Sequence, residues 1–165
     1  MTNKSVNEIV EKQQLFFNSY ATLNIDFRIK QLKKLKQSIK SNEQELIDAL
    51  FTDIGKCEFE AFSTEIGMVQ AELTHHIKKL KKWARPHRVS TPIFAFPSSS
   101  YIHKQPYGRV LVISPFNFPF MLSMSPLIAA ISAGNVVILK PSEFASNTAF
   151  VIKKIIAATL SLIHI

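Results

Sequence analysis

Glycine is scarce in this chain. Four residues, Gly55, Gly67, Gly108 and Gly134, are scattered through 165 positions. Neither a G-x-G-x-x-G turn nor a Walker loop is present, so no glycine fingerprint within these residues holds a diphosphate. Cysteine is scarcer still: Cys57 stands alone, which excludes a disulfide framework inside the chain. No histidine is near it in sequence to act as a base, and it reads as a structural thiol. Cysteine–histidine metal spacing and H-E-x-x-H are missing, and no metal site is expected. No apolar run reaches bilayer length, and the opening MTNKSVNEIVEKQQ lacks a secretory core. The expectation is a cytoplasmic protein with no membrane segment. There is no internal repeat.

What is present is enough apolar residue, 47%, against 19% charged, to bury a core in a chain of about one domain. The formal net charge of +8 raises the question of nucleic acid or an anionic membrane. The positive charge sits mainly in FRIKQLKKLKQSIK and HHIKKLKKWARPHR. In the first, Phe27, Leu32, Leu35 and Ile39 recur at helical spacing; in the second, Ile77, Leu80 and Ala84 do. The lysines fall on the complementary faces, which describes solvated amphipathic helices and gives no reason to expect a nucleic-acid partner. His75 and His76 are adjacent, share no helical face, and read as surface residues.

Along the chain, Ser5 with Glu8 matches a capping box, and a helix runs on through EIVEKQQLFFNSY. A second helix spans about 26–41. Ser41 with Gln44 offers the next cap, and Gly55 ends the helix ELIDALFTDI. A long helix follows over about 58–84 and is stopped by Pro86. Then the composition shifts. PHRVSTPIFAFPSSS is loop or extended linker, YIHKQ alternates like a strand, and RVLVIS and NVVILK are short runs fit for burial on both faces. Between the two runs lies FMLSMSPLIAAISAGN, helical with Gly134-Asn135 as its stop, and ASNTAFVIKKIIAA follows as another helix. The pattern β-α-β-α predicts parallel strands joined by a crossover helix, an open α/β sheet.

In such sheets ligands bind beyond the carboxyl ends of the strands, and two ends are visible here, VISPFNFP and VILKPSE. Asn117, boxed by Phe116 and Phe118 and by two prolines, has two readings. It caps the following helix, or its amide donates a hydrogen bond to a developing oxyanion. Lys140 and Glu143 also have two. They are a solvated strand-end lysine beside a first-turn acid, or an ammonium and a carboxylate holding the hydroxyls or phosphate of a nucleotide. Pro141 fixes that turn, and Ser142 offers a cap for the next helix.

Taken together, PYGRVLVISPFNFPF and PLIAAISAGNVVILKPSE resemble the aldehyde dehydrogenase superfamily. DIGKCEFEAFSTEIG and the linker before YIHKQPYG look most like its class 3, fatty-aldehyde branch. The resemblance covers nearly all of residues 5–159. It implies an α/β fold in which an N-terminal helical segment, 1–85, leads to a linker and oligomerisation-type strand, 86–105. The start of a Rossmann-like open parallel sheet, 106–159, follows. Carried over by residue, Asn117 matches the oxyanion-stabilising asparagine. Ile113, Ser114, Pro115 and Phe116 match the segment lining the cofactor crevice. Lys140 and Glu143 match the pair on the adenosine ribose, with Pro141 and Ser142 shaping the turn. Phe116 stands where many members have Trp, and Tyr107 where Leu is frequent. The resemblance further implies NAD or NADP as cofactor, an aldehyde as substrate, a homodimer for the full-length enzyme, and oxidation to the acid through a thiohemiacetal on a cysteine. Cys57 does not match that cysteine, so the expectation is an incomplete enzyme, inactive by itself. The alternative is a free-standing nucleotide-binding or interaction module without catalysis. The closing LSLIHI has no terminating logic, and common codons for it spell a sequencing-library adaptor; residues 160–165 are therefore expected to be an adaptor-derived tail.

Overall fold

Two carboxylates, one arginine and a turn at Gly134 explain how the first half of this molecule holds the second. The computed structural model describes residues 6–160. Its first half is helical: α1 (Val6–Asn18), α2 (Ile25–Ser41), α3 (Glu43–Ile54), α4 (Glu58–Ala61), a π-helical turn (Phe62–Ile66) and α5 (Gly67–Trp83). The second half holds β1 (His87–Val89), β2 (Ser100–Ile102), β3 (Arg109–Ile113), α6 (Met121–Ala133), β4 (Val136–Lys140) and α7 (Ser146–Thr159).

The helix starts follow local chemistry. Asn24 opens α2 by accepting from the Phe27 N–H at 3.0 Å, and Gly55 closes α3 in the left-handed region at φ 71°. The cap expected at Ser41 is not formed. Ser41 is the last residue of α2, and the Asn42 amide instead donates to the Ser38 carbonyl at 2.8 Å, closing α2 behind it. Ser5 of the expected capping box lies outside the described residues.

The long helix expected over 58–84 is interrupted. Between α4 and α5 the backbone opens into the wider π turn, a feature that tends to mark functional sites. Gly67 permits this: a Cβ there would lie 2.9 Å from the Phe62 carbonyl oxygen. The turn carries Glu65, which is fully buried.

The strands match the predicted order with two corrections. β3 and β4 pair in parallel across α6, as expected. The hairpin, however, needs a second strand: β1, from the segment read as linker, pairs antiparallel with β2, and the strand read in YIHKQ ends at Ile102. Only β4 is covered on both faces. β3 keeps Leu111 and Ile113 exposed on one side, so the expectation of two-sided burial fails for it among the described residues.

One apolar cluster spans both halves. Leu32, Leu35 and Ile39 of α2 and Val69, Leu73 and Leu80 of α5 meet Met124, Leu127 and Ile128 of α6 and Val151, Ile152 and Ile155 of α7. The apolar faces read from the two lysine-rich segments are thus the buried ones, with Leu32, Leu35, Ile39 and Leu80 in the core. Polar ties reinforce the joint. Arg28 is buried without a carboxylate; its guanidinium donates to the carbonyls of Thr22, Leu23 and Ser132. It thereby caps the end of α6, whose partial negative charge favours a cation. Gly134 follows at φ 93°, and a Cβ there would meet the Arg28 guanidinium at 2.8 Å, so glycine is required twice over. Asn135 completes the AGN turn, accepting from the Gly108 N–H at 3.0 Å and donating to the Ala130 carbonyl.

His76 is not a surface residue. Its ring is half-buried between α5 and α6, with Nδ1 2.7 Å from Ser132 Oγ and an edge-on contact with Trp83. Burial, opposed by Glu72 and assisted by His75, holds its pKa below the ordinary histidine value. Helix adjacency alone did not reveal this, because the covering surface comes from α6.

Candidate active site

The register of β3 against β4 sets Ile113 beside Lys140. Both strands therefore end at one edge, and the Ser114 N–H extends the ladder by donating to the Lys140 carbonyl at 3.0 Å. Ile113, Pro115 and Phe116 are exposed there. The Ser114 side chain is buried, and its hydroxyl has no partner among the described residues.

The chain then turns at Asn117, which is exposed in a bend, and at Phe118, which takes a left-handed φ of 46°. Such a conformation costs of order 1–3 kcal/mol for a residue with a bulky side chain and persists only where its surroundings enforce it. Helix α6 starts later, at Met121, and the residue at its cap position is Phe120. Asn117 is thus not the helix cap. That role is taken by Glu65 from the π turn, whose Oε2 accepts from the N–H groups of Phe120 and Met121 at 2.8 and 3.1 Å.

The other oxygen of Glu65 pairs with the buried Lys56 ammonium at 2.6 Å. Lys56 also donates to Thr64 Oγ1 at 3.3 Å and sits 3.8 Å from the centroid of the Phe118 ring. Sequence reasoning missed this pair, since DIGKCEFEAFSTEIG was weighed for its cysteine. A signal was there: Glu65 interrupts the stripe Ala61, Val69, Leu73 at a spacing of four, and a carboxylate on an apolar stripe demands a partner.

At the other strand end, Lys140 and Glu143 are both exposed and paired at 2.6 Å. The hydrogen bond from Lys140 is the main reason the Glu143 carboxyl lies below the usual glutamate range. Pro141 is half-buried, and the buried Ser142 accepts from the Phe144 N–H at 3.3 Å. Ser142 does not cap α7. Asp53 of α3 does, accepting from the backbone of Asn147 and Thr148 at 3.2 and 2.7 Å and from the Asn147 amide at 2.8 Å.

Comparison with known proteins gives the family of the chain. The profile of the aldehyde dehydrogenase family matches residues 1–160. The chain belongs to the aldehyde dehydrogenase family. A 4,4'-diaponeurosporen-aldehyde dehydrogenase of Staphylococcus aureus is 51% identical over 87% of this chain and 31% of its own length. The family 3 member I1 of Arabidopsis thaliana is 40% identical over 96% of this chain and 29% of its own. The dimeric NADP-preferring aldehyde dehydrogenase of Canis lupus familiaris is 38% identical over 92% of this chain and 33% of its own. Among solved structures, substrate-bound Staphylococcus aureus AldH superposes with a TM-score of 0.95 at 45% identity, over 98% of this chain and 36% of that one. This chain spans about a third of the length of these relatives.

Within this aldehyde dehydrogenase chain, Cys57 is exposed at the start of α4. No group of three or more metal-ligating side chains occurs among the described residues, and no described helix is long and apolar enough to cross a membrane. Leu160, the first residue of the expected tail, is buried against the core at 4% exposure. Residues 161–165 lie outside the described residues.

Proposed function

We propose that this chain is the N-terminal part of an NAD- or NADP-dependent aldehyde dehydrogenase that oxidises an aldehyde to the carboxylic acid. In this reading residues 106–159 begin its Rossmann-like cofactor domain, 1–85 form its helical segment, and 86–105 its oligomerisation hairpin, with the catalytic cysteine outside these residues. The observation that carries it is the shared strand edge. An amide free of capping duty, an orphaned buried hydroxyl and a lysine–glutamate pair follow two parallel strands ending side by side.

The residues fit the cofactor. Glu143 is an acceptor-only carboxylate suited to two ribose hydroxyls, and Lys140 supplies ammonium donors beside it. Ile113, Ser114, Pro115 and Phe116 wall the crevice, with the Ser114 side chain turned inward and buried beneath its exposed neighbours. The bound nicotinamide supplies the hydride acceptor. Asn117 donates its side-chain N–H to the oxygen of the aldehyde as negative charge develops there, and Phe116 and Phe118 limit water at that position. The negative Glu143 disfavours a 2′-phosphate, so NAD is the better-matched form.

The protein encoded by the complete reading frame tests this directly. Mixed with NAD or NADP and a panel of aliphatic and aromatic aldehydes, it is expected to produce reduced cofactor and carboxylate. Cofactor binding without any aldehyde oxidation would replace this reading with that of a nucleotide-binding module.

A further inference from the structure

Asn117 is held in place from a distance. We propose that Lys56 and Glu65 form a buried clamp that positions Asn117 in the oxyanion turn. The inference rests on the proposed role of Asn117. Five observations converge on it.

The turn is anchored on its far side, at residues 120 and 121, by both backbone N–H groups on one oxygen of Glu65. It is anchored on its near side, at Phe118, by the Lys56 ammonium on the ring face. The two anchors are one unit, because Lys56 and Glu65 are bound to each other at 2.6 Å and both are buried. The first anchor, Phe118, has a left-handed backbone, a conformation unstable in isolation and adjacent to the amide that must be aimed. The π turn is what brings Glu65 inward, so an irregularity in one helix fixes the entry to another.

A helix N-terminus is commonly capped by a residue just before it. Here the residue before it is committed to the turn, and the cap comes from 55 positions away. The consequence is that Asn117 is left exposed and unengaged while the backbone directly after it is held at residues 118, 120 and 121. Preorganisation of this kind is what makes a single donor effective, and a displacement of about 1 Å can cost roughly a hundredfold in rate. Lys56 and Glu65 touch no reacting atom in this account. They are positioning residues.

The test is a double-mutant cycle in the full-length enzyme. Glu65→Gln keeps the volume and one acceptor but removes the charge that binds Lys56. Phe118→Leu leaves the ion pair intact and removes the ring beneath it, so it decides the matter if the first variant does not fold. Each is expected to lower kcat roughly tenfold or more and to leave the cofactor dissociation constant unchanged. In an Asn117→Ala background each is expected to cost nothing further. An unchanged kcat in a folded variant, or the same loss repeated in the Asn117→Ala background, overturns the clamp. Failure of the underlying reading looks different: Asn117→Ala alone then leaves kcat intact.

Discussion

Glu143 illustrates how much of the chemistry resides in single side chains. Its carboxyl is held below the usual range by Lys140, so it is an anion across the physiological pH range. Glu143→Gln in the full-length enzyme is expected to weaken NAD binding roughly tenfold, since hydrogen bonds to charged acceptors are the stronger ones. NADP should lose less, because the repulsion of its 2′-phosphate goes with the charge. Fluorescence titration with both cofactors measures this, and equal losses would remove Glu143 from the ribose. Lys140, Glu143 and Asn117 were legible as candidates in the sequence because each stands directly after a β-rich run. Their partners were not. Lys56 and Asp53 act on residues more than 60 and 90 positions away, and no local spacing announces such contacts.

The elements were legible to the extent that their signals are local. Periodicity places the helices, and Gly55 and Gly134 end two of them as expected. What periodicity could not supply was the cap of either late helix. Both α6 and α7 take a carboxylate from the helical half, Glu65 in one case and Asp53 in the other. Burial pushes the Asp53 carboxyl up, but the hydrogen bonds from Thr148 and Asn147 outweigh it and leave the group below its ordinary value. A carboxylate depressed on folding contributes stability above its unfolded pKa and loses it as pH falls through the folded one. Asp53→Asn is therefore expected to lower stability by roughly 0.3–1 kcal/mol at pH 7, the worth of a charge at a helix N-terminus. The difference from the wild type should begin to shrink only as pH falls below about 4, and should be lost as pH falls through the lower pKa of the folded state. Urea titrations at a series of pH values check both the size and the sign. The π turn makes a second element-scale case. Gly67→Ala places a methyl against the Phe62 carbonyl and is expected to cost about 1–3 kcal/mol. A wild-type melting temperature would show that the turn tolerates the methyl.

For the whole molecule, the continuous core and the two carboxylate caps bind helical and α/β halves together, although composition changes sharply near residue 86. The sequence separates these regions because composition reports element type, whereas packing depends on which faces meet. The exposed apolar residues carry the complementary message. Leu111 and Ile113 on the open face of β3, and Phe144 and Phe150 further along the chain, are exposed large apolar side chains of the kind that larger assemblies cover. Expressed alone, the 165 residues are expected to bind an apolar dye and self-associate. A monomer with a sharp cooperative unfolding transition would contradict this. The central claim, though, concerns the shared strand edge and the amide beside it. The most direct measurement is the rate of the first turnover in the full-length enzyme, wild type against Asn117→Ala, at saturating cofactor. A loss of about a hundred- to a thousandfold with an unaltered cofactor dissociation constant is the expected result. A first turnover within twofold of wild type would take the oxyanion away from Asn117.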